Sequence, residues 1–383
     1  MTPPPGLPLE ADILPAGIRA RIVPGINGLD MHILESGEPG QPLVLLLHGF
    51  PELAWSWRKI LPALARAGYH VVAPDQRGYG RTTGWDPSPS LRDQYDGDLA
   101  QYRMANLARD AFGLVRALGY TDVACVVGHD FGASVAAWSA VIRPDVYRSV
   151  VLMSAPFAGP PALPVKPAPD IDTALAALAR PRKHYQRYYS TRQANADMLA
   201  APQGLPAFLR AYYHHKSADW SRNQPFPLAG WTADELARMP TYYIMDLAQD
   251  MAETVAAEMP SPAEIAANRW LTEPELAVYA QEFARTGFQG GLNWYRCRFD
   301  PRFAQEQQLY AGRTIDIPAL FIAGRHDWGI EQSPGALARM RHHAFTDMPA
   351  PLLIDGAGHW VQQEQPQAVT AALAAFLARL PPK

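Results

Sequence analysis

The residue that most constrains the chemistry of this chain is Asp130, at the centre of Gly128-His129-Asp130-Phe131-Gly132. The pentapeptide ends the apolar run Val123-Ala124-Cys125-Val126-Val127 and opens a helical pattern over 133–142. A strand, a tight glycine-flanked turn and a helix expose the middle side chain as a nucleophile. Serine at such a corner attacks carbonyls. A carboxylate is a poor acyl-transfer nucleophile but a competent one at saturated carbon. The expected chemistry is therefore the opening of an epoxide or the displacement of a halide.

Attack through carbon leaves an alkyl ester on Asp130, which water must hydrolyse with the help of a base. Two later segments supply an acid and then a histidine, the order that serves such a corner. Gly324-Arg325-His326-Asp327-Trp328-Gly329 follows the apolar run 319–323, and Gly356-Ala357-Gly358-His359-Trp360 follows 351–355. Strand C-terminal ends face the crevice of an open parallel sheet, so the three residues can converge there. His359 is expected to take a proton from water, and Asp327 to hold its other nitrogen and stabilise the imidazolium. A lone aspartate or histidine in a loop is ordinarily a solvated surface group; three at strand ends in this order argue against that. The backbone N–H groups of Phe50, in His48-Gly49-Phe50-Pro51, and of Phe131 are the expected oxyanion donors. Each such donor is typically worth ~3 kcal/mol of barrier, and both favour the charged form of Asp130.

Positioning these residues requires a particular order of elements. Short continuous apolar runs at 42–48, 69–73, 123–127, 149–153, 319–323 and 351–354 read as buried parallel strands. Helical patterns fall at 57–67, 104–118, 133–142 and 368–380. Strand alternating with helix predicts an α/β fold with a mostly parallel, doubly wound sheet. The alternation breaks after Met153. Residues 155–170 hold six prolines, a stiff non-helical connector. From about 170 to 309 the chain reads as helices and loops without a convincing buried strand. The division expected is a core (1–156), an inserted helical cap (157–310) and the rest of the core (311–383). Residues 205–262 are aromatic- and proline-rich and poorly periodic.

Composition excludes several functions. The chain has 383 residues, 48% of them hydrophobic, enough for a sizeable core. A net charge of -3 without a dense basic run argues against a nucleic-acid partner. Cys125 and Cys297 are far apart and suggest no disulfide framework. The N-terminus carries no secretory pattern, and no apolar run reaches the ~18 residues of a membrane span. A cytoplasmic protein is expected, with its oligomeric state, homo-oligomer included, left open. His214-His215 and His342-His343 are adjacent pairs without a completing cluster, so no metal site is expected. His129 reads as a packing or hydrogen-bonding residue.

Several segments together resemble the epoxide hydrolases of the α/β-hydrolase superfamily. These are His48-Gly49-Phe50-Pro51-Glu52, Trp55-Ser56-Trp57-Arg58, Asp75-Gln76-Arg77-Gly78-Tyr79-Gly80 and the Asp130 corner. Gly287-Phe288-Gln289-Gly290-Gly291-Leu292-Asn293-Trp294-Tyr295-Arg296 is similar to the family's second cap-tyrosine segment. The resemblance implies the α/β-hydrolase fold, no cofactor and a small epoxide as substrate. It also implies two cap tyrosines that donate hydrogen bonds to the oxygen developing negative charge. Tyr295 is one. Tyr185, in His184-Tyr185-Gln186-Arg187-Tyr188-Tyr189, is chosen for the other, with Tyr188, Tyr189, Tyr212, Tyr213, Tyr242 and Tyr243 as competitors. Trp55, Phe157, Tyr189, Trp328 and Trp360 are candidates to line an apolar substrate pocket, although core packing explains such aromatics equally well.

Two other readings stand beside this one. A haloalkane or haloacid dehalogenase uses the same Asp-His-Asp set. Its haloacid type would call for arginine where Phe131 stands, and its haloalkane type for asparagine where Phe50 stands. A non-catalytic ligand-binding protein on this fold would be expected to have lost a member of the triad.

Overall fold

The computed structural model describes residues 7–85, 95–164 and 170–380. The N-terminal Met1 to Pro5 and residues 165–169 of the proline-rich connector lie outside the described residues.

The strands are β1 (Arg19–Ile26), β2 (Leu29–Ser36), β3 (Leu43–Leu47), β4 (His70–Pro74), β5 (Cys125–His129), β6 (Val150–Met153), β7 (Arg182–His184), β8 (Ile244–Asp246), β9 (Ala319–Gly324) and β10 (Leu352–Ile354). Eight of them form one sheet in the order β1-β2-β4-β3-β5-β6-β9-β10. From β4 to β10 every neighbouring pair is parallel, whereas β1 and β2 join antiparallel at one edge. Strands β3, β5 and β6 are buried at every residue, as a sheet covered on both faces requires. The principal helices are α1 (Leu61–Arg66), α2 (Met104–Ala117), α3 (Phe131–Ile142), α4 (Tyr185–Tyr189), α5 (Leu205–Lys216), α6 (Glu273–Thr286), α7 (Gln289–Phe299) and α8 (Pro366–Leu377). In the sheet's layers α2 packs beside α3, and α1 beside α8.

The edge hairpin is an addition to the sequence reading. Asn27 and Gly28 both have positive φ, 50° and 83°, and the register pairs Ile26 with Leu29. That is the two-residue turn whose twist suits a hairpin.

Between β6 and β9 the chain leaves the sheet and forms an insertion containing α4 to α7. The expectation of no strand there is corrected: β7 and β8 pair antiparallel as a separate ladder. Its sequence Arg182-Lys183-His184 carries no apolar run, and it is tied by ions instead. Asp246 of β8 receives Arg182 at 2.8 Å and Arg180 at 2.6 Å. Helix α5 explains the weak periodicity after 205. It is buried from Phe208 to Lys216 on all sides, so it has no solvent face to mark a period.

The insertion is fastened to the sheet's C-terminal loops. Trp294 Nε1 donates to the Arg77 carbonyl at 3.0 Å, and the Tyr213 hydroxyl donates to the Pro51 carbonyl at 2.7 Å. Gly290 of α7 lies directly against Gly78; a Cβ at 290 would come within 1.9 Å of the Gly78 oxygen. Both positions therefore demand glycine.

Candidate active site

Asp130 sits where β5 turns into α3, with φ 52° and ψ -120°. A non-glycine residue is strained in that region, and the turn is held by close backbone approach. A Cβ at Gly128 would lie 2.1 Å from the Gly132 carbonyl oxygen, and one at Gly132 would lie 2.3 Å from that of Leu47. Gly49 is equally confined, since its Cβ would fall 2.3 Å from the Cβ of Asp130. The loop after β3 is thereby pressed onto Asp130. The Phe50 N–H donates to Asp130 Oδ1 at 3.0 Å. Phe131, the other expected donor, begins α3 and places its ring against Tyr295, 5.0 Å between centroids.

The structure brings the three expected polar residues together. His359 Nδ1 lies 3.1 Å from Asp327 Oδ1, and His359 Nε2 lies 3.3 Å from Asp130 Oδ2. The first contact is a hydrogen bond. The second is at ion-pair distance but outside hydrogen-bonding alignment, which leaves Nε2 buried without a hydrogen-bond partner. Asp327 Oδ1 also accepts the Gly329 N–H at 2.6 Å. Asp130, Asp327 and His359 are 7%, 1% and 1% exposed, so their charges act on one another with little screening by water.

Burial alone would raise both carboxyls, but their partners outweigh it. His359, Lys216 and His129 hold Asp130 well below the usual carboxylate range. His359 and the Gly329 N–H hold Asp327 down as well. For His359, burial and the Lys216 cation favour the neutral ring, while Asp327 and Asp130 favour the imidazolium and leave the group raised overall.

An aromatic wall faces this line. The Tyr295 ring lies 5.6 Å from Phe50, 5.1 Å from Tyr189 and 6.1 Å from Tyr185. Burial and then Asp130 push the Tyr295 phenol far above its ordinary value, so it is a neutral donor. No hydrogen bond engages its hydroxyl among the described residues. Tyr185, by contrast, donates to Gln332 Oε1 at 3.2 Å and accepts from Gln186 Nε2 at 3.0 Å. Tyr189 donates to the Tyr212 hydroxyl at 2.9 Å.

The pocket candidates divide. Trp360 packs 4.7 Å from the His359 ring, and Tyr189 lies between Phe50 and Tyr295. Trp328 packs on Phe226 at 4.9 Å. Trp55 lines an outer groove of about 1150 Å³ with Arg58 and Pro274. Phe157 lines a separate cavity of about 310 Å³, which Phe131 and Trp294 also line. Among the described residues no cluster of His, Cys, Asp and Glu could hold a metal ion, and no helix is long and apolar enough to cross a membrane.

Three residues near the triad escaped the sequence reading. Glu52, fully buried, binds His129 Nδ1 at 2.7 Å, and His129 Nε2 lies 2.7 Å from the His359 carbonyl. Glu364 accepts backbone N–H groups from Ala218, Gly358 and Trp360 at 2.8–2.9 Å. Lys216 is the third, and its carbonyl accepts the His359 N–H at 2.9 Å. Position in His48 to Glu52 was a signal for the first; nothing local marks the other two.

Residues 42–366 match the family described as alpha/beta hydrolase fold. The chain is 36% identical over 363 residues to epoxide hydrolase A of Mycobacterium tuberculosis, covering 92% of this chain and 96% of that one. Among solved structures, an epoxide hydrolase from an endophytic Streptomyces superposes with a TM-score of 0.74 at 32% identity, covering 95% of this chain and 96% of the other. Epoxide hydrolase A from Mycobacterium thermoresistibile gives 0.72 at 33%, covering 96% and 100%. The sheet order, the elbow and these similarities place the fold among the α/β-hydrolases. Within that superfamily, the chain belongs to the epoxide hydrolase family.

Proposed function

We propose that the protein hydrolyses an apolar epoxide to a vicinal diol through an alkyl ester on Asp130. The observation that carries this reading is the arrangement around one carboxylate. Asp130 is buried, ionised, held by the Phe50 N–H, and faced by His359 Nε2. A hydroxyl in its place would direct the site to carbonyls; a carboxylate directs it to saturated carbon.

In the first step an Asp130 oxygen attacks an epoxide carbon, and the C–O bond of the ring breaks. Tyr295 and Tyr185 donate hydrogen bonds to the departing oxygen, which ends protonated by the proton that His359 sheds. In the second step His359 takes a proton from water, and the hydroxide attacks the ester carbonyl. The Phe50 N–H, with that of Phe131, stabilises the tetrahedral oxyanion. Collapse releases the diol and regenerates the carboxylate. Asp327 orients His359 and stabilises its charged form. Residues 157–310 act as a cap that carries both tyrosines over a core formed by 1–156 and 311–383. The aromatic wall favours an apolar substrate. No step calls for a cofactor.

The test is incubation with styrene oxide, a haloalkane and fluoroacetate, assaying diol and free halide, beside Asp130→Ala. Diol formed by the wild type and lost in the variant supports the reading. Halide without diol would overturn it in favour of a dehalogenase, whose leaving group needs N–H donors where Phe50 and Phe131 offer apolar rings. Binding without turnover of any of the three would favour a ligand-binding protein.

A further inference from the structure

The triad has a cation behind it that the mechanism above does not use. Lys216 closes α5 and is 3% exposed. Its ammonium lies over four rings, 5.0 Å from the centroid of Tyr243, 5.2 Å from Trp360, 5.6 Å from Tyr212 and 5.9 Å from Tyr242. Among the described residues no carboxylate comes within 4.0 Å of it. Aromatic faces attract a cation without neutralising it; burial lowers the Lys216 ammonium's pKa, and Asp130, Asp327 and Glu52 are the carboxylates that favour its charged form.

The cage is locked to the catalytic histidine. The Lys216 carbonyl receives the His359 N–H at 2.9 Å. Glu364 then bridges Ala218 N, on the insertion, to Gly358 N and Trp360 N on either side of His359. Trp360, whose ring faces the ammonium, also packs 4.7 Å from the His359 ring. A change in the length or charge at 216 is therefore felt at the imidazole.

We propose that Lys216 is a positioning residue of the second half-reaction, the counter-charge that keeps His359 an unprotonated base once Asp130 has become an ester. The proposal rests on the reading given under Proposed function. The charged and titratable groups around His359 are Asp327 and Asp130 at its two nitrogens, His129 at 5.0 Å between rings, Glu52 behind His129, Glu364 on its own loop, and Lys216. In the free enzyme the two aspartates outweigh Lys216. Alkylation removes the charge of Asp130 and leaves that of Lys216. The balance then tips towards neutral imidazole at the moment a base is needed. Protons balance: the one shed by His359 offsets the one taken up by the opened oxygen, and water returns one to His359 during ester hydrolysis.

The experiment follows alkyl-enzyme formation and decay by rapid-quench mass spectrometry with styrene oxide between pH 5 and 9, in the wild type, Lys216→Met and Lys216→Arg. In Lys216→Met the acid limb of ester decay should move up by about one pH unit, so that below the limb decay slows about tenfold. The alkaline plateau should be kept, and Lys216→Arg should restore the limb. Coincident limbs, or equal slowing at every pH, would overturn the proposal and leave Lys216 a structural residue. Lys216→Gln serves the same comparison if the methionine variant does not fold. A wild type that turns over styrene oxide without forming any alkyl-enzyme would sink the Asp130 reading itself, a result distinct from an unshifted limb.

Discussion

His359 Nε2 stands 3.3 Å from Asp130 Oδ2 without a hydrogen bond between them. The imidazole is held from its other side by Asp327, so its free nitrogen is directed at Asp130 rather than consumed by it. In the mechanism proposed above, the base that delivers water to an ester on Asp130 needs that vacancy in its hydrogen bonding.

His359→Gln should consequently arrest turnover after alkylation. The protein mass should rise by one substrate, and decay of the adduct should slow by about 10³-fold, within the usual range for loss of a general base. Intact-mass spectrometry after mixing with styrene oxide reads both. Asp130→Ala should gain no mass.

The two tyrosines should be unequal. Tyr295→Phe removes a hydroxyl that no described residue engages, and alkylation should slow by about 10²-fold. The Tyr185 hydroxyl is shared with Gln332 and Gln186, and Tyr185→Phe should cost about tenfold or less. Single-turnover alkylation rates separate the two.

Asp75 provides a stability test remote from the chemistry. Burial opposes its ionisation, but His32 at 2.8 Å and backbone donors lower its carboxyl to about 2, below the ordinary 3.8 of an aspartate. A carboxyl depressed in the fold contributes stability above its unfolded value and loses it as pH falls through the folded one. Asp75→Asn should therefore cost about 2 kcal/mol at pH 7. The gap between variant and wild type should close between about pH 4 and pH 2, as urea titrations at several pH values would show.

Gly290→Ala tests the seat of the insertion on the sheet. The added methyl meets the Gly78 backbone, and overpacking of this kind costs about 1–3 kcal/mol. Tyr295 is carried on the same helix, so alkylation should slow along with the fall in melting temperature. Unchanged kinetics with a lowered melting temperature would show that α7 tolerates displacement without moving its tyrosine.

The convergence of Asp130, Asp327, His359 and Phe50 was legible because each follows a short apolar run, where a buried strand must stop; their chemical roles belong to the proposal above. What lay outside such runs was harder to read. The hairpin β1–β2 carried its signal in Asn27-Gly28, but β1 turns Arg19 and Arg21 towards Glu35 and so lacks an apolar signature. The ladder β7–β8 is three residues per strand and is held by ion pairs. Aromatic type alone did not separate Trp360, against the triad, from Trp55, on the outer groove. Lys216 was invisible because Trp360 and Tyr243, which make its environment, come from distant parts of the chain.

The hydrogen bond from His359 N to the Lys216 carbonyl ties α5 to the loop that carries His359. Any movement that lifted α5 from the sheet would part that bond and pull at the Glu364 bridge, disturbing the seat of His359, the base in the mechanism proposed above. An enzyme opened in this way would be switched off while open. On the mechanism proposed above, an ester on Asp130 would be cut only while α5 is seated and the base is held in place.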